Sequence, residues 1–319
     1  MNWPGLRGGF FFPKVAMVGL GMILYWLRGS PRSLIFLAAM AASARYSLDP
    51  HWSVWGIPGG WTYGLIEITA YLLLMTMPTN DRWLRLAGIG LSIHALLQVA
   101  GYDPIVSALP YGRAIAWIGT PVDLSTILAM AAPVSGPYLP IVLAGIWACG
   151  SRGAAVAVLF AFASNRMRWF LLPLLLAPIF SPLGKDIARV EMIKIAWGGF
   201  LQHPWLGNGP NTYDEIFAKN RTQRLVEATY PAYRQSHAHN DILEMLCSTG
   251  IIGLIAYLIL LWPLRHNQSL VALFVILKYN PVSFEVFCVA ALIAANELHR
   301  PLKVTQPHGS IRVSDETVR

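Results

Sequence analysis

Residues 246–263 read LCSTGIIGLIAYLILLWP, and this run decides the class of fold. No Asp, Glu, Lys or Arg interrupts the chain between Glu244 and Arg265. A helix needs about 20 apolar residues to cross the hydrocarbon core of a bilayer, slightly fewer when flanking side chains reach back to water. The run therefore predicts a membrane helix, and the rest of the chain repeats the pattern. Apolar stretches at 10–27, 33–46, 60–78, 83–100, 121–133, 137–150, 152–165 and 168–183 precede it, and 268–296 follows. The last is broken by Lys278-Tyr279-Asn280-Pro281, whose proline lacks an amide donor, so it reads as two short helices and a turn. The expected fold is all-α, a polytopic transmembrane helical bundle of about 10–11 spans with one long external loop.

Composition agrees. Hydrophobic residues make up 55% of the 319 and charged residues 13%, whereas a soluble domain carries about 25% charged residues. The net charge of +8 is spread between apolar runs and forms no dense basic patch, so it points to membrane topology and away from nucleic acid. Three cysteines, Cys149, Cys247 and Cys288, lie in or beside apolar segments without close spacing. That argues against a disulfide framework or a zinc site and for small packing residues. The run Phe10–Leu27 lacks a small-residue cleavage site and precedes further spans, so it reads as a retained helix.

Cationic residues in short connections orient the bundle. With alternating spans, Arg28, Arg32, Arg82, Arg85, Arg166, Arg168 and Arg265 fall on one side; fewer, chiefly Arg45, Arg113 and Arg152, fall on the other. The first side is then cytoplasmic and residues 184–245 lie outside. The chain divides accordingly into N-terminal membrane helices (1–183), the external loop (184–245), C-terminal membrane helices (246–296) and a polar cytoplasmic tail (297–319). No polar stretch reads as long enough to bury a core of its own.

A loop of this length is an outlier among connections. Its first part, Lys185–Gln202, carries Ile187, Val190, Ile193 and Trp197 at helical spacing, with Lys185, Asp186, Arg189 and Lys194 largely off that stripe. This predicts an amphipathic helix along the membrane surface. His203-Pro204-Trp205-Leu206-Gly207-Asn208-Gly209-Pro210-Asn211 enforces a turn and lets backbone amides approach a ligand closely. Ser236-His237-Ala238-His239-Asn240-Asp241-Ile242-Leu243-Glu244 then opens the next helix, with Ser236 or Asn240 as its cap. Two histidines at the mouth of a membrane helix are candidates for chemistry near neutral pH. Capping or interface packing is the structural alternative for His239, lipid-phosphate binding for Arg189 and snorkelling for Arg113 and Arg152. His94 and Glu67 lie inside apolar spans with no partner legible in the sequence. A metal site from His203, His237, His239 and Asp241 is conceivable by ligand type, but the spacing fixes no tetrahedral set.

These elements together resemble the O-antigen ligase and polymerase superfamily of bacterial envelope glycosyltransferases. The resemblance rests on Arg189, His203 to Gly209, His237 to Glu244 and Gly250 to Gly253, in order, and extends to Arg113 with Gly119-Thr120 and to Ser151-Arg152-Gly153. It implies a GT-C-like fold in the bacterial inner membrane. It also implies transfer of a glycan from an undecaprenyl-diphosphate carrier to an acceptor hydroxyl, without metal, nucleotide or other cofactor. His239 is then the expected base and Arg189 the principal diphosphate contact. Arg113, Arg152, His237, Asn240, Gly207 and Gly209 are expected substrate contacts. The acceptor expected is lipid A–core, with a growing glycan (polymerase) or a protein serine (O-oligosaccharyltransferase) as alternatives. A lipid-linked glycan transporter without catalysis is the reading from another class; ionisable groups near mid-membrane would favour it, and here they gather in the loop.

Overall fold

The computed structural model describes residues 31–55, 64–77, 79–103, 112–164, 166–168, 171, 185–228, 235, 237–277 and 284–298. The expected spans at 10–27 and over most of 168–183, the turn at Lys278–Pro281 and the tail beyond 298 lie outside these residues. Every regular element among the described residues is a helix. In chain order these are α1 (Pro31–Arg45), α2 (Pro50–Trp55), α3 (Leu65–Leu74), α4 (Asp81–Val99), α5 (Pro121–Ala131), α6 (Leu139–Cys149) and α7 (Arg152–Phe162). The loop contributes α8 (Lys185–Gln202), α9 (Tyr213–Asn220) and α10 (Gln223–Ala228). Then come α11 (Asp241–Leu261), α12 (Gln268–Ile276) and α13 (Phe284–Leu298).

The ends of the helices follow local chemistry. Asn80, Thr120, Ser151, Asn240 and Asn267 each accept a backbone N–H from the first turn of the helix they precede, satisfying a donor that the helix leaves open. Gly150, in the left-handed region at φ 59°, closes α6 and turns the chain into α7.

One helical stretch among the described residues, Asp241–Leu264, is long and apolar enough to cross a membrane. Leu65–Leu74, Pro121–Val134, Gly136–Cys149, Arg152–Phe162 and Val286–Leu298 are apolar but shorter. The long stretch is not straight. Gly250 sits at φ 65°, ψ −166°, outside the helical region, and divides α11 into two halves. The Tyr257 hydroxyl donates to Asp241 Oδ2 at 3.3 Å, across sixteen residues of sequence. In a straight helix that separation is about 24 Å, so only the break allows this bond.

Three apolar clusters hold the helices together. The largest joins α4, α5, α6, α7, α12 and α13, with Leu124, Leu128, Met130 and Leu270 fully enclosed. A second packs α1 and α3 against α11 and α13 through Phe36, Met40, Tyr71, Leu72 and Leu260. The third differs from the sequence reading. Met192, Ile195, Tyr213, Ile216, Phe217 and Leu225 form a cluster inside the loop, closed by Ala238 and Cys247. The loop therefore does bury a small core, because α8 uses two faces. Met192, Ile195, Ala196 and Phe200 are buried inward, while Trp197 and Leu201 on the opposite side stay exposed.

Candidate functional site

The turn after α8 and the break in α11 are one construction. The Asn208 and Gly209 amides donate to the carbonyls of Cys247 and Ser248, at 3.0 and 2.8 Å. The Ile251 and Ile252 amides donate to the carbonyls of Pro204 and Trp205, at 2.9 and 3.3 Å. The turn thus pairs the last carbonyls of one half-helix and the first amides of the next, the groups that a broken helix leaves open. The Asn208 side chain adds bonds from Nδ2 to the Gly199 and Cys247 carbonyls, both at 2.9 Å. Glycine is required at the crossing. A Cβ on Gly207 would meet the Ser248–Thr249 peptide, and one on Gly250 would meet the Trp205 carbonyl. Both positions also have positive φ. Gly209 is pressed against the Ser47 side chain, and Ser53 Oγ donates to the Pro210 carbonyl at 2.6 Å, which ties the turn to the α1–α2 corner. Gly207 and Gly209, expected from the sequence to be substrate contacts, are buried here against protein.

The first half of α11 carries the histidines at its mouth. Asn240 caps the helix, accepting the Leu243 amide at 3.1 Å, and the Asp241 amide donates to the Leu277 carbonyl at 3.1 Å. Ser236, the other cap candidate, lies outside the described residues. Glu244 reaches back from the helix. Its Oε2 accepts the Ala238 amide at 2.7 Å and its Oε1 accepts the Ser248 hydroxyl at 3.1 Å, so it holds the backbone between the two histidines. Asp241 and Glu244 are both buried. His239 adopts φ 55°, a left-handed conformation that costs a residue with a Cβ about 1–3 kcal/mol and tends to persist where surrounding contacts over-determine it. The His237 and His239 rings lie 5.3 Å apart, centroid to centroid. Gln235 Nε2 is 3.2 Å from His237 Nε2 and 2.7 Å from His239 Nε2. Both imidazoles thus converge on one carboxamide. His237 is buried and His239 half-buried.

Gln235 was not among the sequence candidates, although it stands two residues before His237 and four before His239. Glu191 was missed as well. Its carboxylate accepts Lys194 Nζ at 2.8 Å and the Thr222 hydroxyl at 2.9 Å, pinning α8 to the start of α10. The hydrogen bond from Lys194 leads the causes that hold its pKa below the ordinary glutamate value.

The arginines stand elsewhere. Arg113 is half-buried and donates through Nε to the Cys149 carbonyl at 2.6 Å. It lies against Gly150, two residues before the exposed Arg152 that opens α7. The segment after Arg113 is held by Gln98, whose Oε1 accepts the Ile115 and Ala116 amides at 3.0 and 2.8 Å. The backbone of Arg189 belongs to α8, but its side chain lies outside the described residues. The structure therefore builds the histidine pair and Asn240 as one group, the glycine turn as a second, and Arg113 with Arg152 as a third. Among the described residues no group of His, Cys, Asp and Glu is arranged to hold a metal ion.

Residues 62–258, well over half of the chain, match the family described as O-antigen ligase. No curated protein matches the chain.

Proposed function

The chain belongs to the O-antigen ligase family, and from that premise we propose a membrane glycosyltransferase that uses His239 as base and arginines as its diphosphate clamp. The donor is a glycan on an undecaprenyl-diphosphate carrier and the acceptor is a hydroxyl, in first place one on lipid A–core. His239 Nε2 takes the proton of the acceptor hydroxyl, whose oxygen forms a bond to the anomeric carbon. The bond from that carbon to the diphosphate oxygen breaks, and the leaving charge is met by Arg189 with Arg113 and Arg152.

One observation carries this reading: a histidine in a left-handed backbone, held by its neighbours, with its Nε2 directed to the same point as a second imidazole. Backbone strain of this kind collects at functional sites. An apolar cavity lined by Phe36, Tyr71, Met245, Tyr257 and Leu260 reaches Asp241, two residues from His239, and suits the hydrocarbon of a lipid carrier. The exposed Ile252, Ile255, Leu258 and Ile259 on the second half of α11 suit a lipid-facing surface, as the proposed polytopic bundle in the inner membrane requires.

Reconstitution with an undecaprenyl-diphosphate glycan and candidate acceptors tests the reading. The His239→Ala variant should lose transfer by about 100-fold or more, and EDTA should leave the wild type unaffected. Transfer that survives the substitution overturns the base. Transfer lost to EDTA and restored by a divalent ion overturns the arginine clamp as the sole charge partner.

The break at Gly250 favours a second reading, because transporters hold substrates at discontinuous helices. In such sites the freed backbone groups face the substrate, whereas here the turn 204–209 pairs them. Substrate flux in vesicles without transfer to any acceptor would favour the transporter.

A further inference from the structure

We propose that Gln235 is a placeholder for the acceptor: its carboxamide occupies the position that the acceptor hydroxyl takes on the histidine pair. The proposal rests on the base role given to His239 above. A neutral imidazole has one nitrogen that donates and one that accepts, and the partner of either fixes the arrangement. The carboxamide NH2 carries two N–H groups and can donate to two acceptors at once, as its position between the two Nε2 atoms requires. Each ring then carries its proton on Nδ1 and presents a lone pair at Nε2. The alternative, with Gln235 accepting from two Nε2–H groups, would leave Nδ1 as the basic atom. His239 Nδ1 is buried and out of reach of an incoming hydroxyl.

A hydroxyl offers the same contact as an amide N–H, a donor aimed at the Nε2 lone pair. Gln235 thus keeps His239 in the tautomer that the reaction needs and shields it while no acceptor is bound. It must withdraw for an acceptor to enter. Withdrawal breaks the two hydrogen bonds to the imidazoles, and the acceptor's single O–H restores the one to His239, so displacing Gln235 weakens acceptor binding by about one hydrogen bond. Gln235 is a positioning residue; the acceptor competes with it.

Carbethoxylation of the full-length protein in detergent, read site by site by peptide mass spectrometry, tests the shield without donor or acceptor. Exposed His203 serves as the internal reference. In the wild type His239 should label more slowly than His203 by about fivefold or more, and Gln235→Ala should bring it towards the rate of His203. Equal rates at the two positions in the wild type, or a rate at His239 that Gln235→Ala leaves unchanged, overturn the proposal. Gln235→Glu keeps the shape but can only accept, so it should keep labelling slow while the 15N resonance of His239 Nε2 moves from an unprotonated to a protonated position. A wild-type spectrum already of the protonated type also overturns the proposal.

In the transfer assay Gln235→Ala should lower the KM for acceptor by about fivefold and leave the KM for donor unchanged; an unchanged acceptor KM refutes competition. Loss of the base role would appear separately, as normal transfer by His239→Ala.

Discussion

Glu191 shows how one carboxylate can set the acid stability of the loop. Its pKa is held below the ordinary value first by the Lys194 hydrogen bond, so it binds a proton less readily folded than unfolded. A depressed carboxylate contributes stability above its unfolded pKa, and that contribution disappears as pH falls through the lower, folded value. The Glu191→Gln variant should therefore unfold at a lower temperature than the wild type at pH 7. The gap should close as the medium is acidified below about pH 4, the ordinary glutamate range, in thermal scans of both proteins. A gap of constant size across that window would remove Glu191 as its source. Neither this role nor that of Gln235 could be read in the sequence, since both depend on partners fixed by the folded loop. The histidines could be read, because an apolar helix seldom needs two imidazoles at its mouth for packing alone. The left-handed backbone of His239 and the contact from Glu244 to Ala238 could not.

Among elements, α11 departs furthest from what its composition predicts. A run without charges looks the same whether its helix is straight or broken, since apolar periodicity reports faces and not continuity. The break is decided by residues some forty positions earlier, where the turn supplies four backbone hydrogen bonds. The glycines were legible as a motif, but the sequence does not say that Gly207 faces the Ser248–Thr249 peptide and Gly250 the Trp205–Leu206 peptide. Both Gly207→Ala and Gly250→Ala should cost about 3 kcal/mol or more, the sum of positive-φ strain and a displaced backbone. Thermal midpoints in detergent measure the loss, and wild-type stability in either variant would remove the crossing as a rigid joint. Elsewhere the helices fall close to expectation: α4 covers Asp81–Val99 where hydropathy predicts 83–100, and α6 covers Leu139–Cys149 where it predicts 137–150. Polar caps and the left-handed Gly150 mark those ends in the sequence itself.

At the scale of the molecule, the expected arrangement places the loop outside the cytoplasm. Cys149 and Cys247 are buried and Cys288 is half-buried, so the protein offers little background to thiol reagents. Lys219, on the loop helix α9, is exposed. A Lys219→Cys variant in intact spheroplasts should react with a membrane-impermeant maleimide; labelling only after permeabilisation would invert the topology. The helical class and the extent of most helices came from hydropathy, which records what each segment buries or presents to lipid. The loop's own core was missed because its apolar residues are scattered over Met192 to Cys247 and meet only after α8, α9 and α11 close on one another.

The joint between turn and broken helix also has a mechanical consequence. With peptide groups paired on both sides of Gly250, the loop cannot pivot without breaking four backbone hydrogen bonds, so the histidines move with the helix as a rigid lever. In the proposed membrane arrangement, their height above the hydrocarbon would follow how deep the second half of α11 rides. Under the proposed topology, a thicker bilayer should draw the pair towards the headgroups and a thinner one should lift it clear, so transfer by the reconstituted protein should vary with lipid chain length.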